Sequence, residues 1–176
     1  MKTLIRWIVV LLASVGLVTA GVGPASAYTT TGCDWGTLNI KVDGSYANGT
    51  FSTALDQAIS NYYGSTVLYL TRQNSSGNSF TAQNSNYGAT GWEGYTNWSC
   101  LFGTTHSATS RLNQYYLGSA VTANLKVVWL HELGHGLGLN HVSSVYHVMY
   151  PSATTAYNNG VRALTSDEIT GINTIY

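Results

Sequence analysis

At 176 residues the chain is long enough for one domain with a substantial core. Charged residues make up only 8%, against roughly 25% in ordinary soluble domains, but 44% hydrophobic content excludes a disordered chain. The net charge is zero, and no basic patch or basic amphipathic stretch occurs, which excludes the usual footprints of nucleic-acid and membrane-surface binding.

The first 27 residues read as a secretory leader, residues 1–27, followed by a mature part, 28–176. Lys2 and Arg6 open it, an apolar run follows from Trp7 to about Val22, and Ala25-Ser26-Ala27 offers small residues for cleavage before Tyr28. The mature part has five Lys and Arg against seven acids, a net charge of −2. No later stretch is long and apolar enough to span a bilayer. A secreted, extracellular chain is therefore expected, with no membrane association once the leader is removed. In that oxidising setting the two cysteines, Cys33 and Cys100, are expected to form a disulfide.

Along the mature part, Thr37 to Val42 alternates as a half-buried strand does, and Asp43-Gly44-Ser45 marks a turn. Phe51, Leu55, Ile59 and Tyr62 recur at helical spacing, with Gly64 as the stop. Thr66 to Thr71, rich in branched and aromatic residues, predicts a second strand. Residues 73–78 read as an exposed loop, and Phe80-Thr81-Ala82 starts a further strand. Gly88 to Trp98 has no clear period. It reads first as a loop packed down by Trp92, Tyr95 and Trp98, with a sheet edge able to accept an extended peptide as the alternative. His106 to Leu112 predicts another strand, and Asn124 is placed as the N-cap of a long helix. Near the end, Thr165 and Glu168 form a capping-box pattern before the apolar stripe Ile169, Ile172 and Ile175.

The helix after Asn124 carries the chemistry. In His131-Glu132-Leu133-Gly134-His135-Gly136-Leu137-Gly138-Leu139-Asn140-His141, the first two histidines lie four apart, on one face of a helix. Gly138 suits a left-handed helix end, after which the chain turns back and His141 arrives as a third ligand. Three protein ligands leave one tetrahedral position of a zinc ion for water, the mark of a catalytic site. Glu132, adjacent to a ligand, is the candidate general base for that water.

This motif resembles the extended zinc signature of the metzincin metallopeptidases, and Val148-Met149-Tyr150-Pro151 resembles their Met-turn in its matrixin form, the family that includes the matrix metalloproteinases. Asn124-Leu125 and the segment Leu164 to Tyr176 are similar to the same family, so the clear likeness runs from about Asn113 to the C-terminus. The resemblance implies an α+β, zincin-like catalytic domain of minimal bacterial type. Its twisted mixed sheet would present an edge strand over an open zinc cleft, beside an active-site helix and a C-terminal helix. It implies His131, His135 and His141 as ligands of one catalytic zinc, Glu132 as general base and Met149 as a supporting, non-ligating residue. Val127, Tyr150 and Pro151 become candidates for the substrate pocket. The implied activity is endopeptidase cleavage of extended protein or peptide substrates by a monomer.

The chain also departs from the family pattern. Of five histidines only His106 and His147 remain, too few for the family's second, structural zinc site, and the acidic calcium loops are not recognisable. The residue two after Pro151 is Ala153 rather than the usual Tyr. The alternative function is a non-catalytic secreted module that binds peptides or surfaces on the same fold, although such a binder needs no general base.

Overall fold

A computed structural model describes residues 28–75 and 77–176; the expected leader lies outside them. The elements run β1 (Thr29–Thr30), β2 (Asn39–Tyr46), α1 (Gly49–Ser65), β3 (Tyr69–Gln73), β4 (Phe80–Ser85), β5 (Gly94–Leu101), β6 (Thr104–Asn113), α2 (Gln114–Leu117), α3 (Thr122–Gly136), β7 (Leu139–Asn140), α4 (Ala153–Asn158) and α5 (Ser166–Ile175). The class is α+β, as the resemblance implies. Five strands form one mixed sheet in the order β3-β2-β4-β6-β5. The first four are parallel, and β5 returns antiparallel to β6 as an edge.

Helices α1 and α3 pack together and bury the apolar core. Phe51, Leu55 and Tyr62 of α1 meet Leu125, Trp129, Leu130 and Leu133 of α3, and all are buried. Two polar atoms inside this contact are satisfied by backbone: Tyr62 Oη donates to the Leu130 carbonyl at 2.8 Å and Trp129 Nε1 to that of Phe51 at 2.9 Å. These bonds fix how α3 rotates about its axis, and so which of its faces looks away from the core.

Several local expectations need correction. Asp43-Gly44-Ser45 is not a turn but the second half of β2, where the register shifts between Asp43 and Tyr46. The buried Asp43 carboxylate accepts from the Ser45 N–H and hydroxyl, using its turn-forming chemistry inside a strand. Asn124 does not cap α3, which starts at Thr122 after Val121. Its side chain is buried and accepts instead from Thr154 Oγ1 at 3.2 Å. The segment read first as a packed loop holds β5, residues Gly94–Leu101, at an edge of the sheet; the strand is there, and peptide addition to it belongs to the proposed function. The capping box at α5 is present, with the Thr165 N–H donating to Glu168 at 2.9 Å.

The N-terminal segment crosses the end of α3. Thr29 and Thr30 pair with Asn140 and Leu139, the Thr31 N–H donates to the Gly138 carbonyl at 2.8 Å, and Trp35 Nε1 donates to that of Gly136 at 2.8 Å. A disulfide joins Cys33 to Cys100 at the end of β5, linking this segment to the sheet edge across 67 residues of sequence. No helix among the described residues is long and apolar enough to cross a membrane. Because the bridge closes so long a loop, replacing both cysteines by serine is expected to cost about 3–4 kcal/mol of stability. Denaturant melts of the two proteins followed by circular dichroism check this, and an unchanged midpoint would count against it.

Candidate metal centre and active site

Helix α3 carries His131 and His135 one turn apart, and the turn after it delivers His141. Gly138 makes that turn in the left-handed region, at φ +100°, and a Cβ there would lie 2.4 Å from the Cys33 carbonyl oxygen. Both facts require glycine. The other two glycines of the motif give room rather than curvature. A Cβ on Gly134 would meet the Met149 sulfur at 2.6 Å, and one on Gly136 the Phe80 ring at 2.3 Å.

The three Nε2 atoms converge, at 3.1 Å for His135–His131, 3.1 Å for His135–His141 and 3.2 Å for His131–His141. The opposite nitrogens of the two helical rings are committed elsewhere. His131 Nδ1 lies 2.8 Å from the Val148 carbonyl and His135 Nδ1 lies 3.0 Å from that of Leu139. A carbonyl only accepts, so the ring proton of each neutral imidazole sits on Nδ1 and leaves Nε2 a bare lone pair. The short Nε2 separations between these two rings are therefore not hydrogen bonds. They suit nitrogens sharing a cation, since three tetrahedral ligands at a zinc–nitrogen distance of about 2.0–2.1 Å stand about 3.3 Å apart.

Burial supports the neutral state. Together with the neighbouring His135 it lowers the pKa of His131 to about 3; it lowers that of His135 to about 4, and His141 is also shifted down. The residues fit zinc, and among the described residues this is the one group of three metal-ligating side chains that converge.

The Glu132 side chain reaches the sheet edge and lines the same cleft as the three histidines. Its carboxylate is buried, and burial pushes its pKa up to about 8, opposed by the Thr96 hydroxyl and reinforced by the Glu93 charge. Thr96 of β5 and Ser110 of β6 stand opposite each other in register, with their hydroxyls 2.9 Å apart. Each hydroxyl has one proton to give. Thr96 lies 2.7 Å from Glu132 Oε2, and Ser110 lies 3.0 Å from the Glu132 backbone carbonyl. Assigning one proton to each of these bonds satisfies both acceptors. The other oxygen, Oε1, lies over Gly94, where an added Cβ would come within 2.3 Å of it. A side chain at position 94 would therefore displace the carboxylate.

Met149 is buried against Gly134, and its backbone ties the turn in place. Its N–H donates to Glu168 at 3.2 Å and its carbonyl accepts from the Val142 N–H at 3.0 Å. The Val148 carbonyl beside it orients His131. His147 serves the same turn: its ring reaches Thr165 Oγ1 at 3.0 Å and Asp167 at 3.2 Å. His106 is exposed on β6.

A cleft of about 570 Å3 runs between β5 and α3, bounded on its far side by Pro151 to Ala153. Of the three pocket candidates, Pro151 lines this cleft. Val127 is fully buried and Tyr150 packs partly buried against the core, so neither is among the lining residues. Gly94, Thr96 and Trp98 alternate along the cleft side of β5, and the Trp98 ring lies nearly parallel to that of His135, 6.4 Å between centroids. These residues were not legible as functional because residues 88–98 show no period. Read as a strand, the alternation Gly94, Thr96, Trp98 would have placed them on one face.

The sequence profile of the matrixin family matches residues 53–176. The chain belongs to the matrixin family. Shorter alignments agree with this placement. The chain is 40% identical over 63 residues to metalloendoproteinase 2-MMP of Arabidopsis thaliana, covering 35% of this chain and 16% of that protein. It is 42% identical over 53 residues to macrophage metalloelastase of Rattus norvegicus, covering 30% and 11%. It is 34% identical over 64 residues to stromelysin-1 of Equus caballus, covering 36% and 13%. The chain thus spans less than a fifth of the length of these matrixin relatives. For this matrixin, dialysed wild-type protein is expected to retain one zinc per chain by elemental analysis. His135→Ala should lower that content about tenfold or more, and equal zinc in both proteins would remove these histidines from the site.

Proposed function

We propose that this matrixin is a secreted zinc endopeptidase that cleaves extended peptides, with Glu132 as general base. The observation that carries the reading is the pairing of three convergent, neutral imidazoles with a separate, buried carboxylate held by its own hydroxyl. A site that only bound metal or peptide would have no use for that carboxylate, whose oxygen is held by the Thr96 hydroxyl in the cleft the histidines share.

His131, His135 and His141 would hold the zinc. When bound, it supplies positive charge that acidifies a water and polarises the peptide carbonyl. Glu132 takes the proton from the attacking water on Oε1, while Thr96 keeps Oε2 occupied and the carboxylate in one rotamer. The same oxygen then passes the proton to the departing amine, so Glu132 ends the cycle as it began. No covalent bond between enzyme and substrate is needed. The β5 edge, paired with β6 on one side only, offers its free backbone groups to an extended peptide running antiparallel to it. Trp98 lies toward the peptide's N-terminal part and Gly94 toward its C-terminal part.

Two variants test this. Glu132→Ala is expected to lower kcat on a mixed peptide library by about a thousandfold or more while zinc stays bound. Wild-type-like cleavage by that variant would sink the mechanism, and absence of cleavage by zinc-loaded wild type would favour a binding module. Thr96→Val, which keeps shape and removes the hydroxyl, is expected to cost about 10–100-fold in kcat, with Thr96→Ser close to wild type. Equal kcat for the valine and serine variants would show that the hydroxyl does not orient Glu132.

A further inference from the structure

The cleft contains one more carboxylate, which the proposed reaction does not use. Glu93 precedes β5 and lines the cleft between Trp92 and Gly94. Its Oε1 accepts from the Thr154 N–H at 3.0 Å and from Ser152 Oγ at 3.3 Å, so the side chain reaches from the sheet edge to the segment after Pro151. Its Oε2 has no hydrogen-bond partner among the described residues. No cation there forms an ion pair with it, and no Lys or Arg lines the cleft. A half-buried carboxylate with an acceptor oxygen open to the cleft gains from a cationic donor, and no Lys or Arg lining the cleft supplies one.

The surroundings suit such a donor. Trp92 and Tyr116 line the same end of the cleft. Trp92 is braced by ring contacts with Tyr87 at 5.2 Å and Tyr95 at 5.8 Å, and Tyr116 Oη accepts from the Gly91 N–H at 2.8 Å. Aromatic faces beside a carboxylate hold a guanidinium by stacking and ion pairing together, and an ammonium less well. With the peptide antiparallel to β5, the residues following the scissile bond run past Gly94 toward Glu93.

We propose that Glu93 is a specificity-determining residue that selects a basic side chain, arginine above lysine, on the C-terminal side of the scissile bond. This rests on the peptidase reading for its direction along the peptide. A structural clasp alone would need only the Oε1 bonds, and Glu93→Gln keeps an acceptor for both while removing the charge.

The test uses quenched fluorescent peptides identical except for Arg, Lys, Leu or Glu just after the cleaved bond. They are given to zinc-loaded wild type and Glu93→Gln, with thermal melts of both. Wild type is expected to favour Arg over Leu by about tenfold in kcat/KM, and the variant to show about equal values at an unchanged melting temperature. Binding of the same peptides to Glu132→Ala, followed by tryptophan fluorescence, should show the same order, lost in Glu93→Gln/Glu132→Ala. Cleavage without a preference for Arg, or a preference that survives Glu93→Gln, overturns the proposal. Binding that favours Arg through Glu93, with no cleavage of any peptide by wild type, would support it while ending the peptidase reading. Equal binding of the Arg and Leu peptides would overturn it in either case.

Discussion

Two backbone carbonyls, those of Val148 and Leu139, determine which nitrogen each helical histidine presents to the cleft. By accepting from Nδ1 they leave bare lone pairs on Nε2, and two such lone pairs 3.1 Å apart repel unless a cation lies between them. Much of the structure around the site serves to keep those carbonyls where they are. The Val148 carbonyl belongs to the turn that buries Met149 under Gly134, and this turn is held through Glu168 and His147 to the start of α5. The Leu139 carbonyl belongs to β7, which pairs with the N-terminal segment. The last helix and the first residues of the described chain, remote in sequence, thus both act on imidazole orientation.

The proposed general base depends on a different part of the fold. Glu132 is on the same helix as two ligands, but its carboxylate is positioned by the sheet edge, through Thr96, Ser110 and the space left by Gly94. Helix α3 therefore has to be docked against β5 and β6 with little freedom to slide. The Tyr62 and Trp129 side-chain bonds to backbone across the α1–α3 contact provide that restraint from the other side. The three imidazoles and the Glu132 carboxylate are thus positioned by separate contacts, so a substitution in β5 can move the carboxylate without disturbing the histidines.

Much of the site was legible in the sequence because its parts are local. His131, Glu132, His135, Gly138 and His141 are within eleven consecutive residues, and helical periodicity with one left-handed turn is enough to bring them together. The Met-turn and the capping box of α5 could be read for the same reason. The reading failed where a residue's usual local role was overridden by a distant partner. Asn124, a natural helix cap, is used by Thr154, and the Asp43-Gly44-Ser45 turn signal is absorbed into β2. In β5 the aromatic and glycine residues hid the alternation, because a glycine that makes room for a carboxylate looks like a glycine that makes a loop.

The sequence by itself determined the family, the three candidate histidine ligands with the glutamate beside them, and a cysteine pair suited to an oxidising compartment. The tertiary structure alone decided that β5 is the edge of the sheet, that Thr96 and Ser110 hold the glutamate, and that Glu93 bridges the cleft to the segment after Pro151. The physical reason is sequence distance. Contacts within two helical turns follow from backbone geometry, whereas Thr96 and Glu132 meet only because sheet register and helix docking bring residues 36 apart to 2.7 Å.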